Sequence, residues 1–212
     1  MRIGILWDLD GTLLDTLEDL KDSVNYALKT FGYPPRTKEE IRKFVGNGAK
    51  RLIASAVPEG ADWEPVLACF RAYYETHAQI KTAPYAGISE ALENLKNRFP
   101  MAIVSNKPDE AVKKLCDNWF PGLYACGERQ GVPRKPAPDM IVQAMAAIGA
   151  DTCVYVGDSE VDVLTAQNAN VPCLSVLWGF RGREELTKYG AVHFCDRPEA
   201  LADCIQEVAY GK

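Results

Sequence analysis

Residues Ile3–Thr16 read IGILWDLDGTLLDT, and the rest of the chain is arranged around them. Ile3, Ile5, Leu6, Trp7 and Leu9 are too continuously apolar for a strand with one wet face. Such a run suits a short strand buried on both faces of a parallel sheet. It breaks at Asp10-Gly11-Thr12, where a turn is expected. Asp8 and Asp10 therefore fall at the strand's carboxyl end, where open α/β sheets bind their ligands. Burying two carboxylates there is costly unless a cation meets them. Ligation by oxygen alone points to a hard cation, with Mg²⁺ the first choice. A bare Asp-x-Asp serves equally as an exposed acidic turn, so the decision rests on the remainder of the chain.

Composition narrows the field. The 212 residues are enough for one large domain or a domain with a modest insertion. Hydrophobic residues make up 47% and charged ones 25%, and the net charge of −5 disfavours nucleic acid or an anionic membrane surface as partner. An anionic substrate must then be drawn by local charge. No apolar run approaches the length of a membrane span, and the chain passes straight into a strand, so no signal peptide is expected. Seven scattered cysteines, odd in number and without a C-x-x-C, fit neither a disulfide framework nor a metal knuckle. A reduced, cytoplasmic protein is expected, as a monomer or a homodimer.

Beyond Asp15 the period changes from strand to helix. Leu17, Leu20, Val24, Leu28 and Phe31 predict one helix ending at Gly32, and Thr37-Lys38-Glu39-Glu40 is a capping-box start for a second. Gly46-Asn47-Gly48 breaks that helix before another over Ala49–Val57, and Asp62 caps a longer one reaching about Lys81. From Thr16 to about Thr82 there is no strand candidate, which predicts an all-helical insert, a mobile cap, at 16–82. The α/β core takes 1–15 and 83–212. In it, strands at Met101–Val104, Leu123–Cys126, Cys153–Val156 and Pro172–Val176 alternate with helices, the last over Glu199–Tyr210. That alternation predicts a doubly wound parallel sheet with a Rossmann-like core.

Two more strand ends carry polar residues that a buried sheet has no need of. Ser105-Asn106 follows MAIV, where a helix cap is the ordinary explanation. Functionally, a hydroxyl and the next backbone N–H can hold phosphate oxygens. Gly157-Asp158-Ser159-Glu160-Val161-Asp162 follows CVYV, and acids at a helix start suit the helix dipole without any ligand. Their spacing also sets Asp158 and Asp162 on one side of a first helical turn, as a direct and a water-bridged contact to a divalent cation. Lys135 lies between closely spaced prolines in RKPAP, which stiffen its loop.

Taken together, DLDGT, SN, KPAPD and GDSEVD resemble the motifs of the haloacid dehalogenase superfamily, in order and on the expected elements. PYAGI at 84–88, LWGFRGREEL at 177–186 and the Gly46-Asn47-Gly48 loop resemble its phosphoglycolate-phosphatase-like branch. Trp7 stands where the family more often has Phe, and Ser105 where this branch often has Thr. The resemblance implies a Mg²⁺-dependent phosphatase acting on a small phosphorylated metabolite through an aspartyl-phosphate, with 2-phosphoglycolate the first guess. It implies Asp8 as nucleophile and Asp10 as acid/base, with Ser105 and Lys135 holding the phosphoryl group. Gly11, Thr12, Asn106, Gly46 and Asn47 would contact substrate. Asp8, the Asp10 carbonyl and Asp158 would bind metal, with Asp162 behind them. His77 and Tyr73 and Tyr74 read as packing residues of the cap, and Arg181 as a residue of the entrance. A phosphosugar mutase, a phosphonate-cleaving hydrolase and an inactive binding module are the alternatives. The phosphonate reaction lacks a placed cap lysine, and the inactive module leaves four like-charged or compensating residues unexplained.

Overall fold

The computed structural model describes residues 1–211. The opening strand, β1 (Ile3–Trp7), lies in the middle of a six-stranded parallel sheet. After it the chain makes the two-residue strand β2 (Leu14–Asp15), then four helices, α1 (Leu17–Thr30), α2 (Lys38–Phe44), α3 (Gly48–Ala56) and α4 (Glu64–His77). It returns through β3 (Ala83–Pro84), which pairs antiparallel with β2. Thereafter strand and helix alternate: α5 (Ile88–Lys96), β4 (Met101–Pro108), α6 (Asp109–Trp119), β5 (Tyr124–Glu128), α7 (Asp139–Ile148), β6 (Thr152–Gly157), α8 (Glu160–Asn168), β7 (Cys173–Val176), α9 (Arg183–Lys188), β8 (His193–Cys195) and α10 (Leu201–Tyr210). The sheet order is β5-β4-β1-β6-β7-β8.

The continuous apolar run of β1 has the expected cause. Ile5 and Trp7 enter one buried cluster with Ile103, Val154 and Ile205, while Leu6 enters another, on the opposite face, with Val104, Tyr155 and Ile141. Helices α1–α4 pack around a third cluster that includes Leu20, Val24, Ile53, Val66 and Phe70. Burying a side chain of that size contributes about 1.5–3 kcal/mol. Phe180, which follows β7, joins this helical cluster from the sheet side. No strand lies between Thr16 and Thr82 among the described residues, and none of their helices is long and apolar enough to cross a membrane. All seven cysteines are free.

Several boundaries differ from the expectation. Helix α4 stops at His77 and not near Lys81, because Asp19 of α1 accepts from the backbone N–H groups of Lys81 and Thr82, at 2.9 and 2.8 Å. Those amides are thereby taken out of any helical ladder. Strand β4 runs on to Pro108 and does not end at Val104, and its pairing with β5 shifts register between the two residues. The closing helix begins at Leu201, after a 3₁₀ turn over Pro198–Ala200. The sequence pattern predicts neither strand β8 nor helix α9. Three and six residues are too few to establish a period, and each depends on its neighbours for stability.

Candidate active site

Asp8 follows β1 directly, and its backbone N–H donates to the Val156 carbonyl at 2.8 Å. The sheet therefore fixes where its side chain starts. Asp10 lies in the turn beyond, where Gly11 takes a φ of 89° and donates to the Leu14 carbonyl at 2.9 Å. A side chain at Gly11 would also run into the Asp158 carboxylate. The Asp-x-Asp pair is thus split between strand and turn, and its two carboxylates find different partners.

Asp8 meets Lys135. The ammonium donates to Asp8 Oδ1 at 2.7 Å, to Asp162 Oδ1 at 2.8 Å and to the Tyr155 hydroxyl at 2.8 Å. Its loop brings it in from between β5 and α7, and its peptide bond to Pro136 is cis. Only 3% of Lys135 is exposed, which sets aside the reading of a solvated loop charge. Burial alone would pull its pKa down; Asp162 and Asp8 more than offset this and hold it above the usual lysine range. Asp8 is pushed up to about 7, first by burial and then by the Asp162 charge, with Lys135 opposing.

Asp158 sits at the carboxyl end of β6, just before α8 and not on its first turn as the spacing suggested. Its Oδ1 accepts from the Thr12 hydroxyl at 3.0 Å and its Oδ2 from the Phe180 N–H at 2.7 Å. Burial, Asp162 and Asp8 raise its pKa well above the ordinary carboxylate value. Asp162 is the second half of a capping box with Ser159 at the start of α8. Its other oxygen accepts from Lys135 and, at 3.0 Å, from Tyr155.

A divalent cation fits this donor set. Oxygens of Asp8, Asp158 and Asp162 lie within 4.8 Å of one another, all three residues are buried, and among the described residues the Lys135 ammonium is the one cation paired with them. Three buried carboxylates with a single cation are expensive unless further positive charge arrives. Gly11 and Gly179 leave room beside Asp158 that a Cβ at either position would fill. Asp10 is outside this triad, and its carboxylate is held by Lys107.

The other predicted residues separate. Ser105 and Asn106 line a cavity of about 440 Å³ with Asp8, Asp10 and Lys135. Asn106 Nδ2 donates to the carbonyls of Lys135, at 2.9 Å, and Gly46, at 3.2 Å, so it joins the lysine loop to the α2–α3 loop. Its Oδ1 is buried without a partner among the described residues. Gly46 lines the cavity as well. Thr12 is turned onto Asp158, and Gly11 and Asn47 likewise lie off the cavity wall. His77 is outside it too, stacked on Tyr73. Arg181 is buried, and its guanidinium pairs with Glu160 and donates to the carbonyls of Arg42 and Val45 at 2.8 and 3.0 Å. Arg42 answers by donating to the Gly179 carbonyl at 2.7 Å.

Two site residues escaped the sequence reading. Lys107, buried within the register-shifted stretch of β4, donates to both oxygens of Asp10 at 2.9 and 3.0 Å and to the Tyr74 hydroxyl at 2.9 Å. Register irregularities of this kind re-aim side chains next to active sites. The available signal was a lysine continuing an apolar strand directly after Ser105-Asn106. Tyr74, which reads from the sequence as a packing residue, does stack on Phe70, but its hydroxyl projects into the cavity wall.

Similarities to known proteins follow the same residues. A family model described as haloacid dehalogenase-like hydrolase matches residues 5–176. The phosphoglycolate phosphatase 1 of Pseudomonas aeruginosa is 33% identical over 220 residues, covering 97% of this chain and 80% of that protein. A phosphoglycolate phosphatase of Rhodobacter capsulatus is 34% identical over 191 residues, covering 85% and 87%. The crystal structure of a protein from Lactobacillus delbrueckii subsp. bulgaricus, described as a candidate phosphoglycolate phosphatase, superposes with a TM-score of 0.90 at 37% identity, covering 97% and 99%. The family match runs from β1 to β7 and so spans every strand end that carries a buried charge: the chain belongs to the haloacid dehalogenase-like hydrolase family.

Proposed function

We propose that this protein is a Mg²⁺-dependent phosphomonoesterase of small metabolites, with 2-phosphoglycolate as its substrate. The observation that carries the reading is the division of the Asp-x-Asp pair. Asp8 is anchored at a strand end beside Lys135 and the acidic triad, while Asp10, in the turn, lines the same cavity with its carboxylate held by Lys107. The relatives named phosphoglycolate phosphatase support 2-phosphoglycolate as the choice of substrate.

An Asp8 oxygen attacks phosphorus in line, forming the aspartyl-phosphate as the bond to the leaving oxygen breaks. Asp10 gives its proton to that oxygen, then recovers one from the water that hydrolyses the intermediate. A nucleophile must hold an attack distance of about 3–3.5 Å, which favours the strand-anchored carboxylate over the one in the turn. Lys135, the Ser105 hydroxyl and the backbone around Asn106 neutralise and orient the phosphoryl oxygens. Asp8, the Asp10 carbonyl and Asp158 would hold Mg²⁺, which supplies charge that screens the phosphate from the carboxylates when bound. Asp162 serves by fixing Lys135. Residues 16–82 form the cap, hinged at the β2–β3 pair, and their helical cluster supports a unit that closes over the cavity and excludes water. Seven free thiols support a reducing, cytoplasmic setting.

The test is a panel of phosphate esters with the purified protein. Mg²⁺-dependent phosphate release, greatest with 2-phosphoglycolate and lost in EDTA, is expected. Full activity in excess chelator would overturn the metal assignment, and preference for another ester the substrate.

A further inference from the structure

Lys107 is a buried ammonium, 7% exposed, that the mechanism above does not use. Such a charge is retained only where its partners are well placed. An ammonium has three N–H donors, and three acceptors surround this one: both Asp10 oxygens and the Tyr74 hydroxyl. Among the described residues Lys107 is also the sole hydrogen-bond partner of the Asp10 side chain. The Asp10 backbone is fixed by the Gly11–Leu14 turn, but the direction of its carboxyl is set by Lys107 alone.

Tyr74 comes from the opposite side of the cavity. It belongs to α4, its ring stacks on Phe70 within the helical cluster, and its hydroxyl reaches out of that cluster to Lys107. A continuous path therefore runs from the helical segment, through one hydroxyl and one ammonium, to the carboxyl that handles the proton.

We propose that Tyr74 and Lys107 are positioning residues: the hydroxyl carried by the cap fixes Lys107, and Lys107 aims Asp10 at the leaving oxygen. The inference rests on the phosphatase reading with Asp10 as acid/base. Closing the cap then does more than exclude water, because it completes the placement of the proton donor. A cap swung out about the β2–β3 pair carries Tyr74 away and leaves Asp10 loosely held. The proton itself passes only between Asp10 and the leaving oxygen or the hydrolytic water; Lys107 and Tyr74 neither gain nor lose one.

Esters that differ in their need for a proton test this. p-Nitrophenolate leaves without one, whereas an alkoxide requires it. Values of kcat/KM are compared for p-nitrophenyl phosphate, 2-phosphoglycolate and ethyl phosphate, for wild type, Tyr74→Phe, Lys107→Met and the double variant. Positioned proton transfer contributes about 10²–10⁴-fold. On that scale Lys107→Met should lower kcat/KM for the two alkyl esters about a hundredfold and Tyr74→Phe about tenfold, with p-nitrophenyl phosphate within about threefold. The double variant should be no worse than Lys107→Met, since Tyr74 acts through it. Equal losses on aryl and alkyl esters, or multiplying losses in the double variant, would overturn the inference. Thermal unfolding checks each fold. Tyr74→Phe, which removes one oxygen, carries the test if Lys107→Met does not fold. A wild type inactive on every ester would refute the phosphatase reading and this inference with it, whereas an active wild type with flat aryl-to-alkyl ratios refutes this inference alone.

Discussion

Two buried lysines divide the Asp-x-Asp pair between them, and their surroundings differ. Among the described residues the Lys135 ammonium has partners only from the sheet side: Asp8 after β1, Tyr155 of β6 and Asp162 of α8. Lys107 is shared between the sheet side, through Asp10, and the helical segment, through Tyr74. The residue proposed to attack phosphorus is thus held by parts of one framework. The residue proposed to move the proton is held across the boundary of two. A nucleophile needs one fixed direction, while a proton donor gains from being set only when the chamber is shut, and the two lysines follow that division.

The largest expected effect lies on the Lys135 side. Asp8→Asn should lower turnover by about 10⁴-fold or more and abolish any acid-labile phosphoryl-enzyme, as loss of a covalent nucleophile does. Rapid quench with labelled substrate and peptide mapping checks it, and label on Asp10 or Ser105 would break the comparison. Lys135→Met comes next, at about 10²–10³-fold, on the scale of losing one fixed electrostatic stabiliser. Unlike Lys107→Met it should fall equally on aryl and alkyl esters, because phosphoryl charge is common to both. It should also destabilise the metal-free protein by about 3–5 kcal/mol, since it strands the buried Asp8 and Asp162 carboxylates. Urea unfolding in EDTA measures that.

A pH prediction follows for the same side. Burial and the Asp162 charge raise Asp8 to about 7, well above its usual 3.8. A carboxyl raised on folding contributes stability that is complete below its unfolded pKa and is lost as pH rises through the folded one. Chelated protein should therefore lose stability between about pH 4 and pH 7 from this group. A proton competes with the cation for Asp8, so the rise in Tm on adding Mg²⁺ should grow over the same interval. A Tm gain independent of pH would count against Asp8 as a ligand.

Smaller effects are expected where the helical segment is seated. Arg181→Met removes a buried guanidinium from the end of α2 and should cost about 2 kcal/mol, the scale of a hydrogen bond to a charged group. If the comparison holds, its residual loss of activity is greater on alkyl than on aryl esters, as for Tyr74→Phe. His77→Ala should change stability by less than about 0.5 kcal/mol and leave turnover alone, because that ring stacks on Tyr73 away from the cavity.

The sequence by itself determined the parallel α/β sheet, the helical run after the first strand and the four charged or polar motifs, three at predicted strand ends and one, with Lys135, in a proline-flanked loop. The reason is that each is written in local pattern: unbroken apolar runs for strands buried on both faces, helical periods, and breakers at the turns. Tertiary structure alone decided that Lys107 and Tyr74 belong to the site. Their roles depend on a register shift in β4 and on the approach of α4, neither of which leaves a local signature. It also decided that Thr12 serves Asp158, that Asp162 holds Lys135 and that Arg181 clasps α2, contacts between residues far apart in the chain. Apolar periodicity states which face of an element is buried. Which charges meet across the buried faces depends on how separate elements are packed together, and no single stretch of chain contains that information.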